Sequence, residues 1–139
     1  MTFVLDASVA LAWCFADEVS SATLRIRDRL ATERAIVPSL WLYEVANALT
    51  VASRRGRMSA EMATGMARLL VSLPIDLAEP VRDLTEPIHL ATQHNLSAYD
   101  AAYLHLALTS ELPLATLDDR LATSARAAGV RLLGDGADV

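Results

Sequence analysis

Five apolar runs of strand length recur along a chain of 139 residues, and the stretches between them carry helical periodicity. The runs fall at 2–5, 35–38, 75–78, 114–117 and 131–133, and helices are expected at about 8–15, 18–31, 39–55, 59–72, 81–94, 98–110 and 119–128. Pro38, Pro74, Pro80, Pro87 and Pro113 mostly punctuate these segments. Strands joined by crossover helices run parallel and need cover on both faces. The expected architecture is therefore an α/β fold, a three-layer α/β/α sandwich around a parallel sheet of about five strands. Ligands of such sheets gather beyond the carboxyl ends of the strands. The length supports one sizeable core and not two, so 1–139 is expected as a single domain, with 134–139 as a loose tail.

Charge restricts the partners. A formal net charge of -5 is opposite to that of a protein holding nucleic acid by bulk electrostatics, so a nucleic acid must be held locally or with metal ions. All 12 basic residues are arginine, suited to bidentate pairing with carboxylate or phosphate. Cys14 is the only cysteine, which excludes an intrachain disulfide and a thiolate metal cluster and fits a reducing cytoplasm. The sequence shows neither a basic leader nor an apolar stretch of about 18 residues, so a soluble, unprocessed, cytoplasmic protein with no membrane partner is expected. Asn95-Leu96-Ser97 matches a glycosylation acceptor but carries no weight without export signals.

Four carboxylates stand where this topology gathers ligands. Asp6 ends the first apolar run, a place where Asp also serves as a turn or helix cap. Glu44 lies along the apolar stripe of the helix opened by Ser39; a half-buried carboxylate there must be paired, hydrogen-bonded, protonated or bound to a cation. Asn47, one turn later, is placed to orient it. Asp100 has capping-box spacing from Ser97 at the start of an apolar helix, where the helix dipole favours an ionised carboxylate. Asp118 follows the fourth run, and Thr116 and Asp119 also have capping-box spacing. Asp119 is thus the expected cap and Asp118 the expected inward ligand, although sequence separates the pair poorly. Four like charges at one rim need compensation, which Mg²⁺ or Mn²⁺ with oxygen ligands and retained waters supplies.

These residues resemble the PIN-domain family, in particular the VapC-type toxin ribonucleases. The matches are Val4-Leu5-Asp6-Ala7-Ser8, Glu44 with Asn47-Ala48-Leu49, Asp100-Ala101-Ala102, and Thr116-Leu117-Asp118 followed by Leu121. Order, spacing and chain length agree over nearly the whole sequence. The resemblance implies a metal-dependent endoribonuclease acting as the toxin of a toxin-antitoxin pair. It assigns Asp6, Glu44, Asp100 and Asp118 to one or two Mg²⁺ or Mn²⁺ ions, with Ser8 and Thr116 as polar helpers. It also implies an RNA substrate, a homodimer and a cognate antitoxin protein whose segment occupies the groove near the acids. Asp119, an extra carboxylate beside the fourth position, competes with Asp118 for the direct role.

The remaining polar residues carry weaker readings. Arg120, beside the acids, has the best claim to an RNA phosphate; Arg54 and Arg55, clustered with Arg57 at the end of the Glu44 helix, either complement the helix dipole or touch phosphate. Arg25, Arg27 and Arg29 read as solvated surface. His89, His94 and His105 fall outside the helical register that would pair them with one another or with Asp100. Trp13, Phe15, Trp41, Tyr43, Tyr99 and Tyr103 read mostly as core or interface, with no base-stacking platform. A phosphoacceptor receiver domain and a haloacid-dehalogenase-like phosphatase both use a lysine that this chain lacks. The competing function is a catalytically inert PIN-like binding or scaffold module, which would have no need of four carboxylates at one rim.

Overall fold

A computed structural model describes residues 2–134, so the expected tail lies, apart from Gly134, outside the described residues. Among these residues, four strands form one parallel sheet in the order β3-β2-β1-β4: β1 (Thr2–Leu5), β2 (Arg34–Val37), β3 (Ile75–Leu77) and β4 (Leu114–Ala115). The expected fifth strand at 131–133 is reduced to a single parallel bridge, Leu114 to Leu132. Its partner β4 is two residues long because the chain leaves the sheet at Thr116, whose side chain turns to Asp6, so there is no ladder to extend.

Among the described residues, seven helices cover the sheet: α1 (Ala7–Ala12), α2 (Ser21–Arg29), α3 (Leu40–Arg54), α4 (Ala60–Ser72), α5 (Thr85–His94), α6 (Ala98–Ser110) and α7 (Asp119–Ala127). α6 packs on β1 and β4 with α5 and α7 on its flanks, while α3 packs on both α1 and α4. Right-handed crossovers put these two sets on opposite faces, which is the expected sandwich. Helix starts follow local hydrogen bonding. Ser20 and Thr23 form a reciprocal capping box at α2, and Ser59 accepts from Met62 N–H at α4. α5 begins later than expected because Asp83 turns back to accept from Thr85 N–H and Oγ1. Pro87 is harmless in its first turn, where an N–H has no intrahelical acceptor.

Phe3, Val4, Leu5, Val9, Val37, Trp41, Leu104, Leu114 and Leu121 fill the centre, so β1, the innermost strand, is buried on both faces as a parallel strand requires. No residue of α5 is buried. With β1 flanked by β2 on one side and β4 on the other, the order of strands reverses beside β1. That switch point, at the carboxyl ends of β1 and β4, is where this topology opens a crevice. Among the described residues, no helix is long and apolar enough to cross a membrane.

Candidate active site

Asp6 follows β1 directly and is 5% exposed, so its carboxylate must find its partners inside the protein. Two hydroxyls supply them, Ser8 Oγ and Thr116 Oγ1, each donating to Oδ2 at 2.7 Å. Each hydroxyl also accepts a backbone N–H from the turn after β4: Leu117 N–H to Ser8 Oγ at 3.0 Å and Asp118 N–H to Thr116 Oγ1 at 3.0 Å. A hydroxyl has one proton to give and lone pairs to receive, so the backbone bonds commit both protons to Asp6. The result is a clamp that ties the β4–α7 turn to the end of β1. Asp118 closes the turn as the N-cap of α7, accepting from Leu121 N–H through Oδ1 at 2.8 Å.

This assigns the cap to Asp118 rather than Asp119, which corrects the expectation from capping-box spacing. Thr116 is engaged with Asp6, so Asp118 takes the turn while still facing the acids. Its charge registers on both Asp6 and Asp100; Asp119 is exposed and registers on neither.

Glu44 comes from the second turn of α3 and Asp100 from the first turn of α6, both helices starting at the same rim. Tyr103, fully buried, donates its hydroxyl to Glu44 Oε1 at 2.6 Å. This is the bond expected of Asn47, which instead is exposed and lines a shallow groove with Leu11, Phe15 and Arg55. Asp100 N–H donates to Ser97 Oγ at 3.1 Å.

Burial pushes the Asp6 carboxyl above its ordinary value and Asp118 adds to this, while the Thr116 and Ser8 hydroxyls and the Ala7 N–H oppose it. Burial likewise raises Glu44, aided by the charges of Asp6 and Asp100 and opposed by Tyr103. Asp100 is raised by burial and by Asp118 and Asp6, against a hydrogen bond from Ser97 and the positive charge of Arg120. Asp6, Glu44, Asp100 and Asp118 thus share one electrostatic environment.

The donors are all oxygen, which suits a hard divalent ion such as Mg²⁺ or Mn²⁺. Among the described residues, no three His, Cys, Asp or Glu side chains stand close enough to hold an ion directly. The arrangement fits an ion that keeps several waters and takes only one or two carboxylates directly, as Mg²⁺ does.

The other residues singled out in the sequence lie elsewhere or at the margin. Arg120 borders a cleft of about 300 Å³ with His94, Asn95, Asp119 and Thr123, and its positive charge acts on Asp100. Arg54 and Arg55 sit at the opposite end of α3, ten and eleven residues beyond Glu44 or about 15 Å of helical rise. His105 pairs with Glu86 of α5 at 2.5 Å, away from the carboxylates. Tyr103 is the site residue that sequence reasoning misread, and its spacing of one turn from Asp100 is the signal that marks it.

The PIN domain family model matches residues 3–127. The chain is 36% identical over 125 residues to VapC ribonuclease Mb0985 of Mycobacterium bovis, covering 89% of this chain and 91% of that protein. It is 31% identical over 96 residues to Exonuclease VapC9 of Pyrobaculum aerophilum, covering 69% and 71%. Among solved structures, PAE2754 from Pyrobaculum aerophilum superposes with a TM-score of 0.72 at 25% identity over 89% of this chain and 84% of that one. VapBC2 from Rickettsia felis, bound to a DNA fragment from their promoter, shares the fold with a TM-score of 0.69 at 11% identity, over 95% and 97%. The family match over most of the chain and the identity to VapC proteins show that this chain belongs to the PIN-domain family, among its VapC-type members.

Proposed function

We propose that this chain is a metal-dependent endoribonuclease and the toxin of a cytoplasmic toxin-antitoxin pair. The observation that carries the reading is the set of four carboxylates that sense one another at the switch point, one of them clamped by two hydroxyls. The names of the relatives, a ribonuclease and an exonuclease, support nuclease chemistry; internal cleavage is our own assignment.

Asp6, Glu44, Asp100 and Asp118 would hold one or two Mg²⁺ or Mn²⁺ ions, which when bound supply a water of lowered pKa and offset charge on the phosphate oxygens. The chain's part is positioning. Ser8 and Thr116 fix the rotation of Asp6, and capping by Leu121 N–H fixes Asp118. Arg120 is placed to take a phosphate of the strand beside the acids, the kind of local cation that a chain with net charge -5 needs. Asp119 is left as a surface residue of α7, and Arg54 and Arg55 are contacts only for RNA long enough to run down α3. A second copy of this chain and an antitoxin protein are the proposed partners, with the groove whose apolar lining is Leu11, Phe15 and Val51, between α1 and α3, as the surface available to the antitoxin.

Incubating a mixed cellular RNA pool with wild type and Asp6→Asn, each with Mn²⁺, Mg²⁺ or chelator, tests this. Discrete internal fragments that require both the metal and Asp6 are expected. Trimming from one end would overturn internal cleavage, and no cleavage by folded, metal-loaded wild type would favour an inert binding module.

A further inference from the structure

Tyr103 stands apart from the other tyrosines. Tyr43 and Tyr99 are 77% and 68% exposed, whereas Tyr103 is fully buried and spends its hydroxyl on a carboxylate 59 positions earlier in the chain. We infer that Tyr103 is a positioning residue of the acid site, whose phenol holds Glu44 Oε1 and thereby sets the spacing between Glu44 and Asp100; this rests on the metal-dependent nuclease reading above.

Two observations support it. The bond is short, 2.6 Å, and its donor is rigid, because the ring is packed on all sides and cannot follow Glu44 if that side chain turns. Tyr103 lies one turn from Asp100 on α6, so a bond from its hydroxyl to α3 also fixes where Asp100 stands relative to Glu44.

A Mn²⁺ titration of metal-free wild type, Tyr103→Phe, Glu44→Gln and the double variant, followed by the EPR signal of free Mn²⁺ and without RNA, tests the inference. Tyr103→Phe is expected to bind Mn²⁺ roughly tenfold more weakly, the scale of losing a partner that orients a ligand. Adding it to Glu44→Gln is expected to cause no further loss. In RNA cleavage, kcat should fall with KM unchanged, since the phenol touches Glu44 and not the substrate. Mn²⁺ affinity within about twofold of wild type, or the same loss in both backgrounds, would overturn the inference. Wild type that takes up no Mn²⁺ would instead overturn the metal reading beneath it. Should Tyr103→Phe not fold, wild type labelled with ¹³C-tyrosine carries the test: of its three tyrosines, the buried one should shift its Cζ resonance when Mg²⁺ is added. An unmoved resonance would overturn the positioning role.

Discussion

The corner where β1 and β4 end and the flank formed by α5 are built on opposite terms. At the corner, Asp6, Ser8, Thr116 and Asp118 bond one another and the backbone of a single turn, and the side chains beneath them are buried. On α5 no residue is buried; Leu84 and Ile88 stand 69% and 60% exposed, and the helix is held by its packing on α6 and by Glu86 on His105. Like-charged carboxylates remain together only where the surrounding structure leaves them no other arrangement, so the charged rim lies over the best-packed strand. The flank carries no such demand and can vary without unsettling it.

The largest expected effect comes from breaking the corner's chemistry without breaking its fold. Asp6→Asn keeps the shape and removes a buried charge, so RNA cleavage with Mn²⁺ should fall by at least about 10³-fold, as for several kcal/mol of lost transition-state stabilisation. Its melting temperature without metal should hold or rise. A variant that unfolds would show instead that the charge itself holds the corner together.

Thr116→Ala leaves the Asp118 N–H without its acceptor and Asp6 with one donor fewer. A loss of about 1–3 kcal/mol is expected, read as a lower midpoint in urea, with a matching drop in activity.

The pH response should also divide the two regions. Burial raises Asp6, Glu44 and Asp100 above their unfolded values, so the folded metal-free chain holds their protons more tightly than the unfolded chain. Their contribution to stability is therefore full below the ordinary carboxylate range and is lost as pH rises through the raised values. Thermal melts in EDTA should show stability declining over that interval, and saturating Mg²⁺ should flatten the decline. A pH profile unaffected by Mg²⁺ would count against the acids as its source.

The smallest effect belongs to the flank. Glu86→Gln removes an exposed partner of His105 and should shift stability by less than about 1 kcal/mol, with RNA cleavage unchanged. A large loss of activity there would mean that α5 takes part in the site.

Much of the fold was readable because its signals are local. The strands at 2–5 and 75–78 end within a residue of expectation, and the helix expected at 98–110 matches α6. Asp6 and Asp118 stood out as acids at the ends of apolar runs, whereas Ser8 and Thr116 were marked only by the family resemblance. What was misread depended on contacts between distant segments. Asn47 has the helical spacing to reach Glu44, but that face of α3 is open, and the donor arrives from α6 instead. The choice between Asp118 and Asp119 turned on Thr116, whose hydroxyl was already engaged 110 positions away.

The sequence by itself determined the parallel α/β architecture and the kinds of groups at the rim, because hydrophobic period and residue chemistry act over a few neighbouring positions. Tertiary structure alone decided how those groups are held: a fifth apolar run reduced to a bridge, a cap that is also an inward-facing acid, and a core tyrosine whose last atom belongs to the site. The physical reason is that a buried hydrogen bond is set by which donor the packing delivers to a carboxylate, and packing joins residues that no local pattern relates.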